Sequence, residues 1–286
     1  MKIAAVITGH MRGGMRNFFY AYPNFFNLFG KNLDVYISTW DKQESGLEIE
    51  EDHLNPWRED TNLVNYKIHD LEKYNKEKEL YKLDYDRKYD IEDICKMSKQ
   101  EVFSKFSNPQ NQDKTGTHAG FTNEAIEYWV NRIKDQYYMV RKSFDLIHDY
   151  EKYSIIIRLR FDYKFLTPFI IAHTPRAFLS QLDHALTVAS NTEGNMHYDC
   201  IQYGIPKVMN KYFLLYDHID NFVDDLCYKN RLSYDIFNAE NMMKYYMEEY
   251  GNEKYKIYME PTLREHVNFI LERGYKYVVN IPQRKY

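Results

Sequence analysis

The sequence predicts a three-layer α/β domain with a mostly parallel central sheet and a polar, partly helical insertion. Three observations predict it. Two apolar runs, residues 2–8 and 33–40, stop at Gly9 and Asp41, and runs of this length without polar alternation read as strands covered on both faces, as parallel strands are. The stretch between them, 15–29, is rich in aromatic residues and ends at Gly30, which suits a crossover helix despite Pro23 and makes 2–40 a β-loop-α-β unit. Further on, Ile126, Val130, Ile133, Tyr137, Val140, Phe144 and Ile147 advance in alternating steps of four and three within 124–150. That spacing is the one-sided apolar face of a long helix.

The other elements follow in order. Between residues 42 and 121 charged side chains and tyrosines dominate and apolar runs are short, so this stretch reads as an insertion into a single domain whose core is 1–41 and 122–286. Within it, Asn108-Pro109 and residues 116–120 read as loops, and Ser98 with Glu101 has capping-box spacing ahead of Val102, Phe103 and Phe106. Ile155, Ile156 and Ile157 open a strand expected at the sheet centre, and residues 186–189 suggest another strand. Helical spacing runs through Val208, Tyr212, Leu215, Ile219, Phe222 and Leu226 over 206–227. Asn238 is placed to cap a helix over 239–250 that Gly251 stops. A last helix after Pro261, ending at Gly274, and a strand over 275–281 complete the alternation.

Composition removes several classes of function. The 286 residues, 44% of them hydrophobic, are enough to bury a sizeable core. With 38 basic against 42 acidic residues the chain lacks the positive excess of a nucleic-acid binder. Cys95, Cys200 and Cys227 are odd in number and widely spaced, which fits neither a disulfide framework nor a zinc site and points to a reducing compartment. The apolar start, 3–7, breaks at Thr8-Gly9-His10 and is too short for a signal segment or a membrane span, so the expectation is a protein kept in a cytoplasm. Its 28 tyrosines and 17 phenylalanines are spread along the chain and read as packing, with local stacking on a base or sugar left open.

Two stretches carry chemistry. After the first strand comes Thr8-Gly9-His10-Met11-Arg12-Gly13-Gly14, a loop opening onto a helix that can offer backbone N–H groups and the Arg12 guanidinium to a phosphate. It has neither the spacing of a dinucleotide fingerprint nor a Walker lysine; the alternative is a tight turn with a solvated arginine. The second stretch is Arg158-Leu159-Arg160-Phe161-Asp162, where an apolar strand runs out. Strand alternation puts Arg158, Arg160 and Asp162 on one face. Two arginines on a buried strand require anionic partners, either a ligand at the carboxyl end of the strand or carboxylates of neighbouring elements. Trp40 and Asp41, where the second strand ends, join Thr8, Gly9, His10, Arg12, Arg158 and Arg160 as candidate ligand-binding residues. Asp162 offers oxygen to a Mg²⁺ or Mn²⁺ ion. Asp199, read as a short loop before Gly204, and Glu240, in the first turn of a helix, are candidate general bases; a turn residue and a favourable helix-terminal charge are the alternatives. His10 and His118 lie in glycine-containing loops, and no paired metal spacing or serine nucleophile elbow occurs.

The opening Ile3-Ala-Ala-Val-Ile-Thr-Gly-His-Met-Arg12, the run Asp34-Val-Tyr-Ile-Ser-Thr-Trp-Asp41 and the run Ile155-Ile-Ile-Arg-Leu-Arg-Phe-Asp162 together resemble a family of viral and bacterial surface-polysaccharide glycosyltransferases, relatives of the WavE-like lipopolysaccharide synthesis proteins. Asp199-Cys-Ile-Gln-Tyr-Gly204, Met209 and Glu240 continue the pattern, and residues 43–122 lie outside it. The resemblance implies a Rossmann-like, GT-A-type fold and transfer of a sugar from a nucleotide-sugar donor to a glycan or lipid-linked acceptor, in the host cytoplasm if the protein is viral. It implies an acidic D-x-D for metal and diphosphate, and here Arg160 stands at the first acidic position. An arginine neutralises diphosphate charge in place of a cation or beside one. The competing expectations are a carbohydrate-binding or scaffold protein without activity, and another Rossmann-like transferase acting on nucleotides or sulfate.

Overall fold

The computed structural model describes residues 2–11, 18–19, 22–27, 32–43, 46–82, 123–161, 163–165, 185–190, 197–228, 239–260 and 267–269. Its strands are β1 (Ile3–Gly9), β2 (Leu33–Trp40), β3 (Asn62–His69), β4 (Ile155–Arg160), β5 (Tyr163–Phe165), β6 (Ala185–Ser190), β7 (His197–Gly204), β8 (Lys256–Glu260) and β9 (Val267–Phe269). Its α-helices are α1 (Asn55–Asp60), α2 (Leu71–Glu77), α3 (Asn123–Phe144), α4 (Pro206–Phe213), α5 (Leu215–Tyr228) and α6 (Ala239–Glu249). Seven strands form one sheet in the order β3-β2-β1-β4-β7-β6-β8. Only β7 runs against its neighbours β4 and β6, and the other pairings in that sheet are parallel. The expected α/β architecture with a mostly parallel central sheet is therefore present, with β4 at the middle of the sheet as expected.

Alternation along the strands builds two cores. Ala4 and Val6, Tyr36, Ile156, and Leu186 and Val188 face α3 to α6, where Val130, Tyr137, Val140, Val208, Tyr212, Met243 and Met247 bury against them. Ala5 and Ile7, Val35 and Ile37, Ile157 and Leu159, and Ile201 and Tyr203 face the other way, onto Phe18, Phe25, Phe26, Leu54 and Trp57. Trp57 packs edge-on to Phe18 and Phe26 at ring separations of 4.9 and 5.0 Å. Aromatic side chains of this size bring much of the burial energy of a core.

At the amino-terminal ends of the strands a polar network closes the first core. Asp34, 4% exposed, takes hydrogen bonds from the Tyr153 hydroxyl and, at 2.7 Å, from Asn62 Nδ2, and pairs with Lys2 at 2.9 Å. Burial disfavours its charge, but the bonds from Tyr153 and Lys2 outweigh that and hold the carboxyl below the usual range. On the helical side Lys211 closes the end of α6: its Nζ donates to the carbonyls of Met247, Tyr250 and Glu253 and stands 5.1 Å from the centre of the Tyr246 ring.

Several elements differ from the sequence expectation. Residues 62–69, expected inside a polar insertion, form β3, the last of the described strands on its side of the sheet; Asn62-Leu-Val-Asn-Tyr-Lys-Ile-His69 is too polar to show an apolar run, as suits a strand with no further neighbour among the described residues. The helix expected over 206–227 is two, α4 and α5, separated at Leu214, whose ψ of −1° ends the first. Asp199 lies in β7 and not in a loop, in a strand whose partners are β4 and β6. Within the stretch expected as a helix between Pro261 and Gly274, the described residues 267–269 form β9, which pairs antiparallel with β5, a contact of distant segments that local periodicity does not report. In the first crossover Pro23, which has no N–H, sits in a π-helical turn, Tyr22–Phe26. The helix expected after Ser98, the loops at 108–109 and 116–120, and the strand over 275–281 lie outside the described residues.

Candidate functional site

Because β1, β2, β3 and β4 are parallel, their carboxyl ends Gly9, Trp40, His69 and Arg160 share one edge of the sheet. Ligands of open α/β sheets bind outside such an edge. Thr8 lies opposite Arg160 in the pairing of β1 with β4. Gly9 follows with φ of +108°, and a Cβ built on it meets no atom of the described residues within 4 Å. A side chain is disfavoured there by backbone conformation rather than by contact with the described residues.

The loops after β1 and β2 are fastened to each other. His10 Nδ1 is 3.2 Å from the Lys42 carbonyl, and the Gln43 side-chain amide donates to the Met11 carbonyl. The His10 ring is tilted 6.3 Å from that of Trp40. Trp40 itself is buried, stacked on Tyr138 at 5.6 Å and packed against Tyr74 at 5.0 Å, so it backs the edge from behind His10. Asp41 Oδ1 accepts the Leu71 N–H at 3.0 Å and so fixes the start of α2. Next to this cluster the Ser38 hydroxyl meets His69 Nε2 at 3.0 Å.

Of the two arginines, the structure separates the roles. Arg158 is 3% exposed, and its Nε donates to Thr8 Oγ1 at 3.1 Å and its Nη1 to Gln202 Oε1 at 2.9 Å. It lies beneath the edge and ties β1 to β7. Arg160, one step of alternation further on, is half-buried and stands at the edge itself. Residues 199–201 are the extra residues of β7 where its pairing with β6 shifts register, so Asp199 sits at an irregularity near the same edge. The segment between α6 and β8 is short, and Tyr255 N–H bonds back to the Met247 carbonyl at 2.8 Å, so α6 runs antiparallel to β8. This places Glu240, half-buried in the first turn of α6, at the end of the domain where the parallel strands finish. Tyr137 donates to the Ala239 carbonyl at 3.1 Å and fixes that helix end. Arg12 and Asp162 lie outside the described residues.

The charged side chains that β4 brings beside Thr8 are guanidinium groups, a set suited to an anion. Among the described residues no three His, Cys, Asp or Glu side chains come together, so the oxygen set a Mg²⁺ or Mn²⁺ ion needs is not assembled by them. Sequence reasoning missed Gln202, Tyr212, Ser38 and His69. A signal for Gln202 was present: it is the polar residue between Ile201 and Tyr203 in a strand, as Arg158 is between Ile157 and Leu159. For His69 no local pattern exists, since its partner Ser38 is 31 residues away.

His69 makes a stability prediction. Burial, with Lys67 and Lys142 adding to it and Asp145 opposing, pushes its pKa down from 6.5 to about 4. The unfolded chain then takes up the proton first, so stability is complete above pH 6.5 and is lost as pH falls from about 6.5 towards about 4. The urea midpoint of the protein is expected to fall between pH 7.5 and pH 5, and His69→Gln is expected to flatten part of that fall. An identical pH slope in the variant rules this out.

The fold is that of an α/β protein with a mostly parallel sheet, and Arg158 and Arg160 lie towards the carboxyl ends of its parallel strands. No protein-family model matches the chain, and no curated protein does. Among solved structures, mouse xyloside xylosyltransferase 1 in its apo form is similar over 79% of this chain and 76% of its own, with 11% identity and a TM-score of 0.32. No described helix is long and apolar enough to cross a membrane.

Proposed function

We propose that the protein is a glycosyltransferase that moves a sugar from a nucleoside-diphosphate donor to a glycan or related acceptor. The observation that carries this reading is that the three sequence stretches with the family resemblance contain β1, β2 and β4, and that all three strands end at one edge of the sheet, where Gly9 lies. In this reading the diphosphate lies against Gly9, His10, Arg12 and Arg160. Arg158 fixes Thr8 from below, and Trp40 and Asp41 hold the neighbouring loop. Asp162, next after Phe161 at the end of β4, is the carboxylate proposed to hold a Mg²⁺ or Mn²⁺ ion, which when bound would supply further charge neutralisation to the departing nucleotide. Asp199 and Glu240 are the candidate bases that take the proton from the acceptor hydroxyl as the new glycosidic bond forms.

Thermal melts with nucleoside-diphosphate sugars, nucleoside triphosphates and free sugars, each with and without Mn²⁺, test this reading. A ligand at ~100-fold its Kd adds about 2.7 kcal/mol to stability, which a melt resolves readily. The expected result is stabilisation by nucleoside-diphosphate sugars, weakened in Arg12→Ala, together with slow hydrolysis of the donor. Stabilisation by free sugars alone points to a carbohydrate-binding protein, stabilisation by triphosphates alone to a different transferase, and either one rejects the proposal.

A further inference from the structure

Beneath the ligand edge lies a chain of four buried polar side chains from three strands and a helix. Thr8, Arg158, Gln202 and Tyr212 are 1%, 3%, 0% and 1% exposed. Arg158 spans from Thr8 Oγ1 at 3.1 Å to Gln202 Oε1 at 2.9 Å, and the Tyr212 hydroxyl donates to that same Oε1 at 3.2 Å. Arg158 and Gln202 are direct partners in the β4–β7 pairing. Two donors converging on one oxygen decide which way the Gln202 amide is turned, and the turned amide decides where the guanidinium sits.

We infer that Gln202 is a positioning residue of the anion site: it holds Arg158 through a neutral oxygen, so that the guanidinium is fixed in place with no negative charge added by this partner beneath the end of β1. A carboxylate at the same position would make the same two hydrogen bonds, and stronger ones, but would add a negative charge there. In a buried setting a fixed charge acts over several ångströms without being screened by salt, so the choice of amide over carboxylate is felt at the edge where Thr8 and Gly9 lie. The inference rests on the reading that a diphosphate occupies this edge. Tyr212 supports it from the far side, holding the Gln202 oxygen from α4.

Gln202→Glu separates positioning from mere packing, because the two roles move its readouts in opposite directions. The full-length variant is expected to melt at or above the temperature of the unmodified protein while binding inorganic diphosphate on the order of 10-fold more weakly in calorimetric titration. Tyr212→Phe keeps the ring packing, loosens Gln202, and is expected to weaken diphosphate binding by roughly 3-fold. Diphosphate affinity unchanged in Gln202→Glu overturns the inference; should that variant not fold, unchanged affinity in Tyr212→Phe does so. An unmodified protein that does not bind diphosphate overturns it as well. Diphosphate binding that depends on Gln202, with no binding of any nucleoside-diphosphate sugar, leaves the positioning role standing and rejects sugar transfer.

Discussion

Arg158→Met is expected to destabilise the protein by about 3 kcal/mol, read as a lowered urea midpoint with an unchanged slope. Methionine fills much of the arginine stem but makes no hydrogen bond. Thr8 Oγ1 and Gln202 Oε1, both buried, then lose the donors now at 3.1 and 2.9 Å, and buried acceptors deprived of a partner cost about 1–3 kcal/mol each. Gln202 keeps the Tyr212 hydroxyl, which limits the loss on that side. The same change loosens the tie between β1 and β7 just below Gly9, so in the sugar-transfer reading donor affinity is expected to fall together with stability. A variant as stable as the unmodified protein places Arg158 outside the framework described above.

The second large effect is expected one step along the same strand, and with the opposite profile. Arg160→Ala is expected to disturb the interior less than Arg158→Met, because Arg160 is half-buried at the strand end while Arg158 is 3% exposed. In the sugar-transfer reading donor affinity is expected to fall by roughly 10- to 100-fold, as a charge-assisted phosphate contact is lost, with a smaller fall in melting temperature than in Arg158→Met. Asp162→Asn keeps the size of the side chain and removes its charge, and in the sugar-transfer reading it lowers turnover by on the order of 10²-fold with donor affinity less affected. Calorimetric titration with the donor and steady-state kinetics separate the two. If Arg160→Ala binds donor normally but unfolds early, Arg160 belongs to the structural network and the donor lies elsewhere.

The contrast between these neighbours shows why the site was only partly legible. Alternation placed Arg158 and Arg160 on the same face of one strand, and this is where they lie. What alternation does not contain is depth: β7, a strand from residues 197–204, crosses antiparallel beside β4 and brings Gln202 against Arg158, so the first arginine is enclosed and the second is left at the rim. The reading of Asp199 as a loop residue failed for the same reason, since a strand whose partners are distant in sequence shows no local sign of them. Trp40 and Asp41 were correctly placed at a strand end, yet their side chains are taken up by Tyr138, Tyr74 and the start of α2.

By itself the sequence determined the buried strands β1, β2 and β4, the long helix α3, the stop of α6 at Gly251, and the fact that Gly9 and the arginine pair sit at strand ends; Asn238, expected to cap α6, lies outside the described residues. These are local properties: apolar runs, helical spacing, and a glycine where φ is positive at Gly9 or Gly251. Only the tertiary structure decided the sheet order β3-β2-β1-β4-β7-β6-β8, the antiparallel insertion of β7, the addition of polar β3 at the edge and the pairing of β5 with β9. Those depend on contacts between residues far apart along the chain, whose closure is set by the burial and hydrogen bonding of the whole domain and leaves no period in any one segment. The same physics divided two arginines of one strand into a buried strut held to Thr8 and Gln202 and a half-buried cation at the strand end.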